Sequence, residues 1–126
     1  MITENYIKMC EQAEEIQKLW KPVDWDRFIF KNDKTVGLGC GHIKSYMKVW
    51  YIWLPTQEQF QEMMTKQGYF RFTLIELFYH FANDIFKTNS SQKFSMNELW
   101  LAFVMKEKYH KIWTGEKWEE VKSDGS

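Results

Sequence analysis

The chain has 126 residues and no net charge, with 17 lysine and arginine residues balanced by 17 aspartate and glutamate residues. This length predicts one domain that buries about two thirds of its unfolded surface. The balanced charge makes it less favourable for this chain to bind nucleic acid, because it has no strong positive field to attract a phosphate backbone. The sequence has no run of about 18 apolar residues, so we expect no membrane-spanning helix. The N-terminus lacks a signal-peptide pattern, so we expect a cytoplasmic protein with reduced cysteines.

Aromatic residues make up 18% of the chain, with ten Phe, seven Trp and six Tyr. Each aromatic ring buries a large area, so a small domain can gain stability from a few of them. So many rings exceed what a small core needs. A cluster of rings left at the surface would mark a site for a partner or a ligand.

The first 38 residues predict one helix followed by two short strands. Apolar residues recur at helical spacing over 3–20, with Cys10 in the apolar stripe as a small buried side chain, and Pro22 ends the helix. Alternating residues over 24–30 predict a strand, and a polar turn leads to a second strand over 35–38.

The middle of the chain predicts further extended structure. The glycine-rich segment 37–42 lacks the lysine and hydroxyl of a phosphate loop, so a bent or bulged strand is the better interpretation. Residues 46–53 are apolar on both faces, which is typical of a strand in the middle of a covered sheet.

The next segments predict two helices that begin with capping boxes. Thr56 opens the first, which ends at Gly68. Thr73 opens the second, which runs to about Phe86. Its predicted buried side consists of Leu74, Leu77, Phe78, Phe81, Ala82 and Ile85.

A third capping box, at Ser95 and Glu98, opens the helix around which we expect the fold to be organised. Seven apolar residues follow without interruption from Leu99 to Met105. Because Leu101 and Met105 lie off the main apolar stripe, we expect other elements to enclose this helix from at least two sides.

The C-terminal segment predicts a β-hairpin. A two-residue turn at Gly115 and Glu116 would place Trp113 opposite Trp118. Together these elements predict an α+β fold: about four helices packed on a small, mostly antiparallel sheet, with a C-terminal hairpin. We expect a single globular domain over 1–122 and a disordered tail over 123–126.

Two stretches carry a resemblance to other proteins. They are Ile52-Trp53-Leu54-Pro55-Thr56-Gln57-Glu58-Gln59-Phe60-Gln61-Glu62-Met63, and residues 98–107 running into Lys111-Ile112-Trp113-Thr114-Gly115-Glu116-Lys117-Trp118. The chain resembles a group of small uncharacterised proteins encoded in phage and prophage regions of Gram-positive bacteria. The resemblance implies a phage or prophage origin and a place in the host cytoplasm. It implies no activity and no site residue.

Three groups of residues could carry metal or catalytic chemistry. Glu76, His80 and Asp84 recur at i, i+4 and i+8 and could form a weak metal face, although a solvated helix face explains them better. Cys40 and His42 share one face of a strand and could pair as nucleophile and base, but no orienting partner is visible. A zinc site could combine Cys10, Cys40 and His42 with His80 or His110, but no paired ligand spacing supports it.

A basic and aromatic C-terminal surface offers a binding site. Its candidate residues are Lys106, Lys111, Trp113 and Trp118, with Lys108 and Lys117 nearby. Such a surface could bind single-stranded nucleic acid by stacking. Interleaved glutamates cancel most of its positive field, so an ordinary charged exterior is the favoured interpretation.

These observations favour a phage or prophage accessory protein that acts by protein–protein contact, either as a homodimer or as an adaptor. The many methionines and aromatic residues suit such a surface. A nucleic-acid-associated module is the second interpretation, and a small metal- or thiol-dependent enzyme is the third. We assign no catalytic residue and expect no cofactor.

Overall fold

A computed structural model describes residues 2–23, 26–32, 35–38, 45–88 and 94–121. The chain forms two compact units, Met1–Thr56 and Gln57–Ser126, and each is described by itself. The fold is α+β with a C-terminal hairpin, as the sequence predicts. The single domain over 1–122 stays a prediction, and the predicted tail over 123–126 lies outside the described residues.

The first unit joins two short helices to a three-stranded antiparallel sheet. Its elements are helices α1 (Glu4–Gln12) and α2 (Glu14–Lys18), strands β1 (Arg27–Phe30), β2 (Val36–Leu38) and β3 (Tyr51–Trp53), and a 3-10 helix over Ser45–Trp50. The strand order is β2-β1-β3, which makes β1 central. Ile29 pairs with Ile52 across β1 and β3. Gly37 pairs with Phe28, whose ring lies so close that a Cβ at Gly37 would approach it to 2.5 Å.

The predicted helix over 3–20 is broken at Ala13. Its dihedral angles, φ −84° and ψ 71°, are not helical. The Gln17 side chain lies at this break, where its Nε2 donates to the carbonyl oxygen of Cys10 (3.1 Å) and to that of Trp53 (2.9 Å). Its Oε1 accepts from the Trp53 amide (2.8 Å). Gln17 therefore pairs with the open edge of β3 as a neighbouring strand would.

The predicted central strand over 46–53 is extended only at its end. Residues Ser45–Trp50 form the 3-10 helix, and Val49 and Trp50 are exposed. Only Tyr51–Trp53 is paired with β1 as a strand, and a single hydrogen bond at each end extends this pairing: the Lys31 amide donates to the Trp50 carbonyl oxygen (3.0 Å) and the Leu54 amide donates to that of Arg27 (2.9 Å). Of the predicted bent strand over 37–42, residues 39–42 lie outside the described residues.

The core of the first unit centres on Trp20. Its ring stacks on Trp53 with centroids 6.2 Å apart. Its indole Nε1 donates to the buried Asp26 carboxylate (3.0 Å), which also accepts from the Val23 amide (3.0 Å). These two hydrogen bonds offset the cost of burying the Asp26 side chain away from water.

The second unit contains three helices and a hairpin: α3 (Gln57–Lys66), α4 (Arg71–Thr88), α5 (Met96–Tyr109), β4 (Lys111–Trp113) and β5 (Trp118–Glu120). Gly68 adopts φ +101° after α3, consistent with the predicted stop. Helix α4 begins before the predicted cap at Thr73, since the Leu74 amide already donates to the Phe70 carbonyl oxygen (2.8 Å). The predicted capping box at Thr73 is therefore wrong. None of the described helices is long and apolar enough to cross a membrane.

Helix α5 is the buried centre of this unit. Ser95 Oγ accepts from the Glu98 amide (3.2 Å), as predicted for the cap. Every residue from Trp100 to Met105 is buried, and α3, α4 and β4 all pack on the helix. Leu101 and Met105 have no exposed surface, so the predicted enclosure from at least two sides is confirmed.

The C-terminal hairpin has the predicted register. Trp113 pairs with Trp118, and the Thr114 amide donates to the Lys117 carbonyl oxygen (2.9 Å). Gly115 adopts φ +105°, as the first turn residue requires. Because β4 packs on α5, the hairpin is attached to the helical body.

Candidate functional site

Helix α4 is apolar on two sides, and one of these sides is exposed. We call Phe72, Ile75, Tyr79 and Phe86 the outer face of α4; they are 82%, 68%, 67% and 75% exposed. Phe70, just before the helix, is 80% exposed. With the half-buried Ala82, these positions recur at alternate spacings of three and four residues, which is the heptad pattern of a helix that pairs with another helix.

The opposite side of α4 packs against α5. Phe78 stacks on Trp100 with centroids 4.0 Å apart, and Phe81 meets Phe103 edge-on at 5.5 Å. Leu74, Phe78 and Phe81 are buried as predicted. The apolar pattern predicts this inner side but not the outer one, because the two apolar stripes overlap along a helix rich in apolar residues. The spacing from Phe72 to Phe86 is the signal that could have revealed it.

The exposed area of the outer face is large for so small a protein. An aromatic side chain buries about 150–250 Å² when covered, so the three rings of the outer face and the neighbouring Phe70 together expose on the order of 600 Å². This value is at the upper end for the largest apolar patch of a typical monomer. It approaches the roughly 800 Å² that each partner contributes to a standard interface.

Of the predicted metal candidates, only Glu76 borders this face, whereas Asp84 lies toward the side of α4 that packs on α5. Glu76, His80 and Asp84 are exposed and occupy successive turns of α4, and the His80 ring meets Tyr79 at 5.6 Å. Within the described ranges, no group of three His, Cys, Asp or Glu side chains is arranged to hold a metal ion. The arrangement is a polar stripe that crosses the exposed surface of the helix, as the interpretation of a solvated helix face expects.

The thiol candidates do not form a described site. Cys10 is fully buried, as predicted, and burial raises the pKa of its thiol because the thiolate loses its hydration; a hydrogen bond with Tyr6 opposes this shift only in part. Cys40 and His42 lie outside the described residues, so their predicted pairing and the zinc set that includes them stay hypotheses.

A cavity of about 270 Å³ lies within the second unit. It is lined by Phe81, Asp84, Ile85, Phe94, Ala102, Lys106, Ile112 and Trp113. Two of the predicted binding residues, Lys106 and Trp113, therefore meet at one place. The Lys106 ammonium lies 5.5 Å from the centroid of the Phe81 ring.

The indole Nε1 of Trp113 is buried and has no hydrogen-bond acceptor in the described part of the chain. An unpaired buried donor costs about 1–3 kcal/mol of folding free energy. The Trp113 ring also packs against Trp118, with centroids 5.1 Å apart. This contact holds the indole in place at the cavity.

The other predicted binding residues lie on the hairpin outside the cavity. Lys111 and Trp118 are half-buried in strands β4 and β5. Nearby, Lys117 forms an ion pair with Glu119 (3.6 Å). Because the two tryptophans pack on each other and lysine is paired with glutamate, this surface is less suited to stack bases than the sequence suggested.

Comparison of the chain with family models, with curated proteins and with solved structures gives no match. The candidate sites are therefore interpreted from their geometry alone.

Proposed function

We propose that this protein is a protein–protein interaction module that self-associates through the outer face of α4. In keeping with the resemblance, its setting would be a phage or prophage accessory role in the host cytoplasm. The observation that carries the proposal is the exposed heptad row of Phe72, Ile75, Tyr79 and Phe86. Burying such a row is the main driving force for association.

The length and area of the row support a helix-to-helix interface. Fourteen residues separate Phe72 from Phe86, which corresponds to about 21 Å along a helix. At ~25 cal/mol per Å², covering all of this aromatic area, Phe70 included, gives an upper bound on the order of 15 kcal/mol per protomer. Association costs roughly 4–15 kcal/mol and a helix pair covers only the part of the area that faces the partner, so the area permits a dimer without setting its affinity.

The charges beside the row support a second copy, aligned in parallel, as the occupant. If Phe72 and Tyr79 occupy position a of the heptad, Arg71 occupies position g and Glu76 occupies position e. In a parallel pair, position g of one helix faces the following position e of the other. Arg71 of each copy would then meet Glu76 of the other, which gives two ion pairs of opposite charge.

Light scattering coupled to size-exclusion chromatography tests the proposal. We expect the wild-type protein to be a dimer at about 100 μM and Ile75→Glu to be a monomer, because a buried unpaired carboxylate is costly. Val49→Glu is the matched control, since Val49 is 63% exposed in the first unit and the charge change is the same. A monomeric wild-type protein at that concentration would contradict self-association.

Charge reversal tests the parallel alignment separately. Arg71→Glu should place two like charges together and weaken the dimer. The double variant Arg71→Glu/Glu76→Arg should restore it, because each pair is then opposite again. If the double variant is as weak as the single one, the alignment is wrong.

The nucleic-acid interpretation has less support. The chain is neutral, and the lysines of the hairpin lie among glutamates. Titration of a labelled single-stranded oligonucleotide at low and high salt tests it directly. Binding that weakens steeply with salt would favour a nucleic-acid-associated module over the proposal made above.

A further inference from the structure

We propose that the cavity lined by α4, α5 and β4 binds a small neutral molecule with two fused rings, held by apolar contact. The cavity lies within the second unit, among the side chains of Phe81, Ala102 and Ile112. It is separate from the outer face of α4, and the inference does not depend on self-association.

The lining of the cavity is apolar except at two positions. Six of its eight side chains are aliphatic or aromatic: Phe81, Ile85, Phe94, Ala102, Ile112 and Trp113. Such a lining favours an apolar ligand over water. The indole nitrogen of Trp113 is buried and presents no surface to the cavity, so a hydrogen bond from it plays no part in recognition.

The two charged side chains on the lining oppose each other. Lys106 and Asp84 are both exposed, and the Lys106 ammonium lies 5.5 Å from the centroid of the Phe81 ring. A charge on the ligand would be attracted by one of these residues and repelled by the other, and it would also lose part of its hydration. The lining therefore favours a neutral ligand over an anion or a cation.

The volume of the cavity sets the size of the ligand. The cavity measures about 270 Å³, whereas an apolar cavity of about 150 Å³ holds benzene. One ring would leave space unfilled, and unfilled space forfeits contact with the lining. Two fused rings should therefore bind more tightly than one.

Calorimetric titration with four related compounds tests the size and the charge of the ligand. We expect saturable binding of 2-naphthalenemethanol with a Kd of about 1 mM or lower, since small ligands of this size reach at least that affinity. Benzyl alcohol, its one-ring counterpart, should bind about threefold more weakly or worse. The anion 2-naphthoate and the cation 2-naphthylmethylammonium should also each bind about threefold more weakly or worse.

Substitutions on the lining test where the ligand binds. Ala102→Leu fills part of the cavity and should weaken 2-naphthalenemethanol about fivefold or more. Ala82→Leu makes the same substitution in α4 outside the lining and should leave the affinity within about twofold. Ile112→Ala removes part of the lining and should weaken binding about threefold. Val121→Ala, at a similarly exposed position outside the lining, is the control for Ile112→Ala.

The outer face of α4 is another apolar surface of this unit, and Ile75→Glu separates the two sites. Ile75 lies on the outer face and not on the lining, so Ile75→Glu should bind 2-naphthalenemethanol within about twofold of the wild-type protein. Loss of binding in this variant would place the ligand on the outer face and overturn the proposal. The same result would leave self-association intact as a separate question for light scattering.

Three other results would overturn the proposal. The first is the absence of saturable binding of 2-naphthalenemethanol to folded wild-type protein up to about 3 mM, above the weakest expected affinity. The second is a charged compound that binds as tightly as the alcohol. The third is binding that Ala102→Leu and Ile112→Ala leave unchanged. Because Ile112 is 45% exposed, its variant tests the site even if Ala102→Leu fails to fold.

Discussion

Gln17 makes three hydrogen bonds with backbone groups, and replacing it tests how the first unit is held together. Gln17→Ala would remove the bonds to the carbonyl oxygens of Cys10 and Trp53 and the bond from the Trp53 amide. The Trp53 amide and carbonyl oxygen lie on the outer edge of β3, where no further strand pairs with them among the described residues. An unpaired buried backbone group costs about 1–3 kcal/mol.

The expected cost of Gln17→Ala is about 2–3 kcal/mol. Two Trp53 groups lose their partner, but Gln17 is half-buried, so water can replace part of what is lost. Urea denaturation followed by tryptophan fluorescence measures the free energy of unfolding. Lys18→Ala, at the neighbouring exposed position, should change that free energy by less than about 0.5 kcal/mol. If Gln17→Ala costs no more than this control, the view that Gln17 substitutes for a strand is wrong.

Three further predictions concern single residues. Asp26→Ala should lower the free energy of unfolding by about 1–3 kcal/mol, because the Trp20 indole and the Val23 amide lose their shared acceptor. Urea denaturation measures this loss. An unchanged urea midpoint would contradict the prediction. In a Cys40→Ser background, the Cys10 thiol should resist an aromatic disulfide reagent at pH 8 until the protein unfolds, and rapid labelling of the native protein would refute this. Stability should also fall above pH 9, because burial raises the pKa of the Cys10 thiol above the unfolded value of 9.0 and only the unfolded chain can then ionise it. His110 ends α5 at φ 58°, a left-handed conformation that costs a non-glycine residue about 1–2 kcal/mol. His110→Gly should therefore raise the Tm by a few degrees. A lower Tm would show that the imidazole stabilises the helix end.

The helix at the centre of the second unit could be predicted because its local signals agree. Ser95 and Glu98 mark the start of α5, and an unbroken apolar run requires cover on several sides. The hairpin is equally local, since the turn at Gly115 alone sets the register that pairs Trp113 with Trp118. Where the cap, the turn and the apolar pattern coincide, the sequence determines the element.

The errors arose where a distant partner decides the backbone. The apolar spacing of the predicted helix continues through Ala13, so no local signal predicts the break in the helix there. The Gln17 side chain lies at the break and hydrogen-bonds the Trp53 carbonyl oxygen on the edge of β3. Residues Ser45–Trp50 look like a buried strand, but the pairing with β1 ends at Phe30 and Tyr51, and these residues form a 3-10 helix instead. In both cases the deciding contact joins residues far apart in the sequence.

The candidate sites were predicted only in part. Lys106 and Trp113 were identified as binding residues from their type, but the cavity that joins them is lined by residues of α4, α5 and β4, which only the folded chain brings together. The outer face of α4 was missed because an apolar residue on a helix is first interpreted as core. Which of two apolar sides remains exposed is decided by packing, which the pattern alone does not contain.

A disulfide placed at Phe86 tests the central claim most directly. In a Cys40→Ser background, Phe86→Cys puts a thiol at the end of the outer face of α4, where a parallel pair brings the two copies of this position together. We predict that mild oxidation at about 10 μM converts most of this variant to a covalent dimer, whereas Val49→Cys in the same background, at another largely exposed position, stays monomeric. If Phe86→Cys cross-links no faster than Val49→Cys, α4 does not pair in the way proposed.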